Sequence, residues 1–306
     1  MRANLQTAVH HGETLTPRAY SLRTGASVGP GLAWLGALFL GPLALIALIS
    51  LLSRGEYGTV GGAWTFENYR RLAGFGLLGF DSLYPLIIAR SVLLGLTTAM
   101  LCLSAGLPLA FFIASCKGRY KNLALTLVVV PLWTNLLIRT YAWQMLLGPE
   151  SSLTQVAALF GLAEADEGLY PGLFAVSLCM VCDFLPFAVL PIYASVEKLN
   201  WSLVEAAMDL GANRVSAFRH GIVPQIKPGL TAGFILVFLP AMGQFVIPDL
   251  LGGAKTMLLG NAIQQQFGAA SDWPFGSAVA MVSLLVAMLA LWLMARHTGD
   301  DELNIL

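Results

Sequence analysis

The sequence predicts an all-α, polytopic membrane protein with six transmembrane helices and both termini in the cytoplasm. Of its 306 residues, 57% are hydrophobic and 11% are charged, whereas soluble domains carry about 25% charged residues. Six apolar segments reach the about 20 residues that a helix needs to cross a bilayer core of about 30 Å. The 17 basic and 17 acidic residues leave no net charge, so composition indicates no nucleic-acid partner.

The first transmembrane helix is predicted over residues 31–53, after a polar cytoplasmic tail of residues 1–30. The segment is longer than the apolar part of a signal peptide, and no small-residue cleavage site follows it. We therefore expect a signal anchor that stays in the mature protein. Residues 54–85 form a predicted exterior loop, with W-T-F-E-N-Y at residues 64–69.

Residues 86–295 hold the remaining five predicted spans, and residues 296–306 form a cytoplasmic tail. The five spans are residues 86–114, 123–147, 172–196, 229–248 and 275–295. A second long exterior loop, residues 250–274, includes an amphipathic stretch at residues 256–267. Long loops are often functional, and neither exterior loop is apolar enough to cross the membrane.

The distribution of Lys and Arg predicts the orientation, because cytoplasmic connections are enriched in these residues. With the N-terminus inside, the cytoplasmic segments hold Arg2, Arg18, Arg23, Lys117, Arg119, Lys121, Lys198, Arg214, Arg219, Lys227 and Arg296. The exterior loop after the third span carries acidic residues instead: Glu150, Glu164, Asp166 and Glu167. This orientation places the polar connection between spans four and five in the cytoplasm.

Catalytic and metal-binding patterns are missing from the sequence. All four histidines (His10, His11, His220 and His297) lie outside the predicted spans, and the sequence has no H-E-x-x-H, G-x-S-x-G or phosphate-binding G-x-x-x-x-G-K-[ST] pattern. Cys179 and Cys182 form a C-x-x-C without a second pair or nearby histidines, which is typical of small buried residues. The sequence therefore predicts a protein that is not an enzyme and binds no cofactor or metal itself.

The connection between spans four and five predicts two short helices. Residues 199–210 favour the first helix, with Ser202 as its N-cap and Glu205 completing a capping box. Gly211 is expected to end it in the left-handed conformation. A second helix is expected from Asn213 to Gly221.

Residues 204–224, V-E-A-A-M-D-L-G-A-N-R-V-S-A-F-R-H-G-I-V-P, resemble the EAA loop of type I ABC importer permeases. In that family the pattern begins E-A-A-x-x-x-G and ends I-x-L-P. Gly221 and Val223 stand in place of the Ile and Leu, and Pro224 is in register. The resemblance implies the type I ABC importer permease fold, with an EAA loop over residues 199–228 that binds a cytoplasmic ATPase.

Each feature of this loop suits a docking surface. Ala206 and Ala207 would let a partner backbone approach closely, and Phe218 is a candidate apolar anchor. Glu205, Asp209, Arg214 and Arg219 would form a polar rim. Gly211 would make the turn between the two helices, and Pro224 would stop the second helix before span five.

Polar residues inside the spans are candidates for a solute path, because charges in a membrane face protein or water. Asp183, near the middle of span four, offers a charge to a cationic solute or a hydrogen bond to a neighbouring span. In span three, Asn135, Arg139 and Trp143 follow one another at helical spacing. They form a path, or else Tyr141 and Trp143 belong to an aromatic belt and Arg139 snorkels outward. Trp133 in span three, and Gln244 and Asp249 in span five, are further candidates.

Three further stretches resemble the polyamine (spermidine/putrescine) branch of these permeases. They are P-L-W-T-N-L-L-I-R-T-Y-A-W (131–143), L-P-A-M-G-Q-F-V-I-P-D-L-L-G-G (239–253) and D-W-P-F-G-S-A (272–278). Permeases that carry opines, aminoethylphosphonate, thiamine or iron share parts of these stretches, so such solutes remain alternatives.

The resemblance implies a subunit of the bacterial inner membrane that works by alternating access. Its implied partners are a second permease subunit, a cytoplasmic ABC ATPase dimer that binds ATP and Mg, a periplasmic substrate-binding protein and membrane lipid. An ion-coupled secondary transporter is the competing class, but it would favour internal repeats and buried proton relays.

Overall fold

The computed structural model describes residues 17–55, 58–76, 79–159, 168–253 and 256–302. Residues 1–16 of the predicted tail, Glu164, Asp166 and Glu167 lie outside this range. The chain divides into two compact units, one ending at Ile49 and the other beginning at Ser50. The first unit contains most of helix α1 (Pro17–Ser50), of which Gly29–Ser50 is long and apolar enough to cross a membrane. The helix ends three residues before the predicted end of span one, because the chain then turns into a strand.

The second unit begins with a small mixed structure, the hairpin module (residues 51–82), where the sequence analysis predicted a loop. Strand β1 (Leu52–Arg54) pairs antiparallel with β2 (Val60–Trp64), and β3 (Phe75–Gly76) pairs with β4 (Gly79–Phe80). Helix α2 (Glu67–Leu72) lies between the two hairpins.

The side-chain amide of Asn68 holds α2 against the start of the module. It donates to the carbonyls of Ser50 and Leu52, both at 2.9 Å. The strands have only two to five residues, too few to show the alternation of apolar and polar residues that predicts a strand. The sequence therefore did not predict them.

Three long helices form the main core: α3 (Leu83–Ser115), α7 (Leu173–Val196) and α10 (Val223–Met242). Small residues let their backbones approach closely, as is usual between membrane helices. A Cβ on Gly95 would lie 3.3 Å from the Met242 backbone, and one on Gly233 would lie 3.2 Å from the Ala188 carbonyl. Helix α13 (Trp273–Glu302) is the fourth long helix of this unit.

The predicted third span is not one straight helix. Helix α4 (Arg119–Val129) continues into a 3₁₀ turn (Val130–Trp133), and α5 (Leu136–Leu147) leaves at an angle of 96°. Pro131 lies in the turn, and the Asn135 side chain caps the new helix by accepting from the Leu137 N–H at 2.8 Å. The described residues contain five helices able to cross a membrane, or six if this bent pair is one span.

Short helices complete the chain: α6 (Ser152–Leu159), α8 (Trp201–Asp209), α9 (Arg214–Ala217), α11 (Val246–Leu251) and α12 (Leu259–Phe267). The predicted fifth span, residues 229–248, is wrong at its C-terminal end. Helix α10 ends at Met242, and a separate helix, α11, begins at Val246. The predicted amphipathic stretch at residues 256–267 contains α12.

Candidate functional site

The first candidate site is the knob, residues 201–222, which lies between α7 and α10. Asn200 caps α8, because its side-chain oxygen accepts from the Ser202 N–H at 3.2 Å and from the Ser202 hydroxyl at 2.6 Å. The prediction that Ser202 is the N-cap is therefore wrong: Ser202 already lies in the first turn of α8.

The turn after α8 has the predicted form. Gly211 has a φ of +89°, in the left-handed region that favours glycine. The N–H groups of Gly211 and Ala212 donate back to the carbonyls of Met208 and Ala207, at 2.9 and 3.0 Å. These bonds satisfy carbonyl groups at the end of α8 and set the direction of the next helix.

The second half of the knob differs from the prediction. Asn213 caps α9 through the Ser216 N–H at 2.8 Å, and the helix widens into a π turn (Phe218–Ile222) that leads directly into α10. Pro224 was expected to stop this helix, but it occupies the first turn of α10. A proline is tolerated there because the first-turn N–H groups have no partner within a helix.

The inner side of the knob is joined to the main core. Val204, Ala217 and Ile222 are buried in it. The Gln225 amide group accepts from the Asn200 N–H at 2.9 Å and donates to the Gly221 carbonyl at 2.7 Å. The knob therefore has a fixed attachment to α10, which would let it move with that helix.

The outer side of the knob is a mixed apolar and charged surface. Glu205, Ala206, Asp209, Arg214 and Arg219 are exposed as predicted, and Ala207 is half-buried. The predicted anchor Phe218 is 38% exposed, with its ring 6.5 Å from that of Phe111 in α3.

Apart from Phe218, the large exposed apolar residues on this surface were not among the sequence-predicted site residues, and Leu210 and Val215 are the most exposed of them. Leu210 is 90% exposed and Val215 is 75% exposed, and they flank the Gly211 turn. The sequence did contain a signal for them, because apolar residues are unusual in a polar connection between two spans. Such exposed apolar side chains beside charged groups are typical of a protein–protein contact.

An ion pair lies close to the knob. Lys121 of α4 donates to Glu197, which follows the end of α7, at 2.5 Å. This hydrogen bond holds the pKa of the Glu197 carboxyl below its usual value. The pair links the bent segment, which consists of α4, the 3₁₀ turn and α5 (residues 119–147), to the chain that enters the knob.

The second candidate site lies between the bent segment and α7, where Arg139 of α5 is adjacent to Asp183 of α7. Asp183 is 4% exposed, and its Oδ1 lies 2.5 Å from the Arg139 Nε. Arg139 also donates to the Pro131 carbonyl and to the Thr134 hydroxyl. Of the two interpretations of Asp183, a charge for a cationic solute or a bond to a neighbouring span, this ion pair favours the second. Arg139 does not snorkel outward, because its buried partner draws the guanidinium inward.

The other candidates of span three are dispersed. Asn135 caps α5 instead of projecting from its face, so the expected stripe with Arg139 and Trp143 does not form. Trp143 packs against the main core, whereas Tyr141 is exposed. Trp133, in the 3₁₀ turn, is 83% exposed.

The third candidate site is the break between α10 and α11, residues 243–245. The side-chain oxygen of Gln244 accepts hydrogen bonds from the N–H groups of Phe245 and Val246, at 3.0 and 3.3 Å, at the start of α11. Asp249 is exposed on α11 and has no ion-pair partner within the described ranges. Of the two predicted carboxylates, Asp249 is exposed and Asp183 is buried.

The chain matches the family described as binding-protein-dependent transport system inner membrane component over residues 106–298. It is 39% identical to the spermidine/putrescine transport system permease protein PotB of Haemophilus influenzae, covering 89% of this chain and 92% of that protein. The PotB protein of Escherichia coli K12 is 38% identical, with 84% and 91% covered. The inner membrane ABC transporter permease protein YdcU of the same organism is 29% identical, with 90% of each chain covered.

Solved structures resemble the fold. A bacterial ABC transporter involved in the import of the acidic polysaccharide alginate superposes with a TM-score of 0.69 and 15% identity. The match covers 92% of this chain and 96% of that chain. The same kind of transporter in complex with its pentasaccharide-bound periplasmic protein gives a TM-score of 0.68 at 14% identity. At such identities the likeness concerns the fold alone.

Proposed function

Since the chain belongs to the binding-protein-dependent transport system inner membrane component family and is a multi-pass permease subunit of an ABC importer, we propose that its solute is a polyamine. The observation that carries the proposal is the 39% identity to a spermidine/putrescine permease protein over 89% of this chain. Opines and aminoethylphosphonate are the alternative solutes, carried by the same machinery.

The knob is the proposed contact with a cytoplasmic ABC ATPase dimer, which binds the ATP and Mg that drive transport. Its apolar residues Leu210, Val215 and Phe218 would enter a groove of the ATPase, surrounded by the charged rim from Glu205 to Arg219. The fixed attachment of the knob to the main core supports a lever, because movement of the ATPase would then reach α10 directly.

A second permease subunit and a periplasmic substrate-binding protein are the other proposed partners. The family, whose description is binding-protein-dependent transport system inner membrane component, supports the second of these. The N-terminus is proposed to be cytoplasmic, which puts the knob on the side of the ATPase. The hairpin module and α12 then lie outside, where a binding protein could reach them.

The proposed solute path uses Asp249 together with exposed aromatic residues. A polyamine carries strongly hydrated ammonium groups, so an apolar path would be a large barrier. A carboxylate and aromatic faces such as Trp133 and Tyr141 can replace part of that hydration. The Asp183 carboxylate is neutralised by Arg139 and is assigned to holding the bent segment.

The test is reconstitution of the full complex in liposomes. Permease, partner permease, ATPase and binding protein are assembled, and uptake of labelled putrescine, spermidine, octopine and 2-aminoethylphosphonate is measured with ATP inside. We expect ATP-dependent uptake of the two polyamines. Uptake of octopine or aminoethylphosphonate instead would contradict the polyamine assignment. Uptake driven by an ion gradient without ATP would indicate a secondary transporter.

A further inference from the structure

Helix α12 carries a buried amide, Asn261, that contacts the break between α10 and α11. Asn261 is 8% exposed. Its side-chain oxygen accepts from the Leu258 N–H at 3.4 Å, and its nitrogen donates to the Phe245 carbonyl at 2.9 Å. One side chain thus fixes the start of α12 and the backbone of the break at the same time.

The backbones themselves are in close contact beside this hydrogen bond. A Cβ added to Gly260 would lie 2.5 Å from the Gly243 carbonyl oxygen and 3.0 Å from that of Gln244. Side chains do not approach carbonyl oxygens so closely, so glycine permits the contact. The break therefore contacts α12 at two successive residues, Gly260 and Asn261, and not at one atom.

The hydrogen bond also bears on the position of Asp249. The Phe245 carbonyl that accepts from Asn261 also accepts from the Asp249 N–H at 3.0 Å, in the first turn of α11. Because α11 has only six residues, a shift of this carbonyl changes the direction of the whole helix and of its exposed carboxylate.

At its other side α12 is tied to the hairpin module. Leu259 and Ala262 of α12 share a buried apolar cluster with Leu72 of the module. After α12, the Asp272 carboxylate accepts from Arg71 of the module at 3.1 Å. A continuous set of contacts therefore runs from the module through α12 to the break.

Arg71 and Ser91 add two further contacts to this set. The Arg71 guanidinium lies 4.1 Å above the Phe275 ring, in addition to its bond with Asp272. The Ser91 hydroxyl of α3 accepts from the Leu259 N–H at 2.8 Å in a buried position. These contacts leave the N-terminal end of α12 firmly placed relative to α3.

We propose that Asn261 is a positioning residue for the solute path. It holds the break and Asp249 in the geometry described above, and it joins them to the hairpin module. The proposal rests on the proposed function, since it assumes that Asp249 lines the path. It assigns a role to a residue of the second long connection rather than to a residue of the spans.

The direct test reads the accessibility of Asp249 and needs no solute. In a variant whose native cysteines are replaced, Asp249→Cys is reacted with a small charged thiol reagent in the nucleotide-free complex. Adding Asn261→Ala should change the reaction rate by about fivefold, because a hydrogen bond of ~1 kcal/mol no longer holds position 249 in one geometry. Gln264→Ala, an exposed amide of the same helix, is the matched control and should leave the rate unchanged. An unchanged rate in Asn261→Ala would overturn the proposal.

A second variant separates positioning from folding. Asn261→Asp keeps the acceptor for the Leu258 N–H but places a carboxylate oxygen against the Phe245 carbonyl. We expect fewer putrescine molecules moved per ATP hydrolysed, with binding-protein-stimulated ATP hydrolysis within about twofold of wild type. A purely structural role would give a different result. Asn261→Asp would then lose uptake and ATP hydrolysis in parallel and have a lower melting temperature, and Asn261→Ala would leave the thiol reaction rate unchanged. If the wild type moves no putrescine, the polyamine assignment fails while the thiol measurement still decides the role of Asn261.

Discussion

At the scale of single residues, the pair of Arg139 and Asp183 changes the meaning of a membrane carboxylate. Asp183 is buried and adjacent to a guanidinium that also bonds the backbone of the preceding turn. A charge that is already paired costs less to keep in the membrane, but it is not free for a solute. Its effect is to hold α7 and the bent segment together.

Asp183→Asn should therefore act on stability rather than on solute choice. The change leaves the half-buried Arg139 guanidinium without its counter-charge. For a fully buried pair this costs about 3–5 kcal/mol, so a cost at the lower end of that range is expected. We expect a clearly lower melting temperature in detergent, and partial recovery when Arg139→Met is combined with Asp183→Leu. A variant with the wild-type melting temperature and a selective loss of polyamine uptake would instead make Asp183 a solute ligand.

Asp249→Asn should have the opposite profile. The carboxylate is exposed and has no ion-pair partner in the part of the chain that the structure describes, so its neutralisation should not destabilise the fold. Loss of a charged contact of about 1.5 kcal/mol predicts an uptake rate lower by about tenfold. Stimulated ATP hydrolysis should persist. Glu150→Gln, another exposed carboxylate, is the control, and equal effects of the two changes would contradict a specific role.

At the scale of elements, the knob depends on one backbone conformation. The φ of +89° at Gly211 sets the angle between α8 and α9, and so places Leu210 and Val215 on the outer side. A residue with a Cβ pays about 1–2 kcal/mol in this conformation, whereas asparagine adopts it more readily.

Gly211→Val should prevent ATPase co-purification while the permease still inserts into the membrane. Gly211→Asn should retain most of the binding, because asparagine tolerates the left-handed conformation. The measurement is the amount of ATPase recovered with tagged permease, normalised to membrane-inserted permease. Normal recovery with Gly211→Val would rule out this turn as part of the docking surface.

The bent segment is a second element whose form follows from a few contacts. Pro131, the Asn135 cap and the Arg139 bonds all lie within the turn between α4 and α5. Each satisfies or removes a backbone hydrogen-bonding group that the 96° bend would otherwise leave open.

At the scale of the whole molecule, the orientation in the membrane can be measured directly. In a variant without native cysteines, Ser151→Cys should react with an impermeant thiol reagent added to intact cells. Ser202→Cys should react after permeabilisation alone, because it lies at the start of the knob. The reversed result would place the knob outside and exclude its contact with a cytoplasmic ATPase.

The sequence by itself determined the features that are local or periodic. Apolar length predicted the long helices, because a helix hides its backbone groups within one segment. The turn at Gly211 and the exposed rim around Glu205 followed from residue types at short spacing. The family could also be inferred from the sequence, because the chain contains the E-A-A residues at the spacing that is typical of the family.

The tertiary structure decided the features that depend on residues far apart in the chain. Arg139 and Asp183 are separated by more than 40 residues, and their pairing requires α5 and α7 to approach one another. The contact of Asn261 with the Phe245 carbonyl likewise requires α12 to pack against the break between α10 and α11. Sequence pattern reports which residues are polar, but packing decides which partner a buried polar group has, because most such groups are hydrogen-bonded in a folded protein.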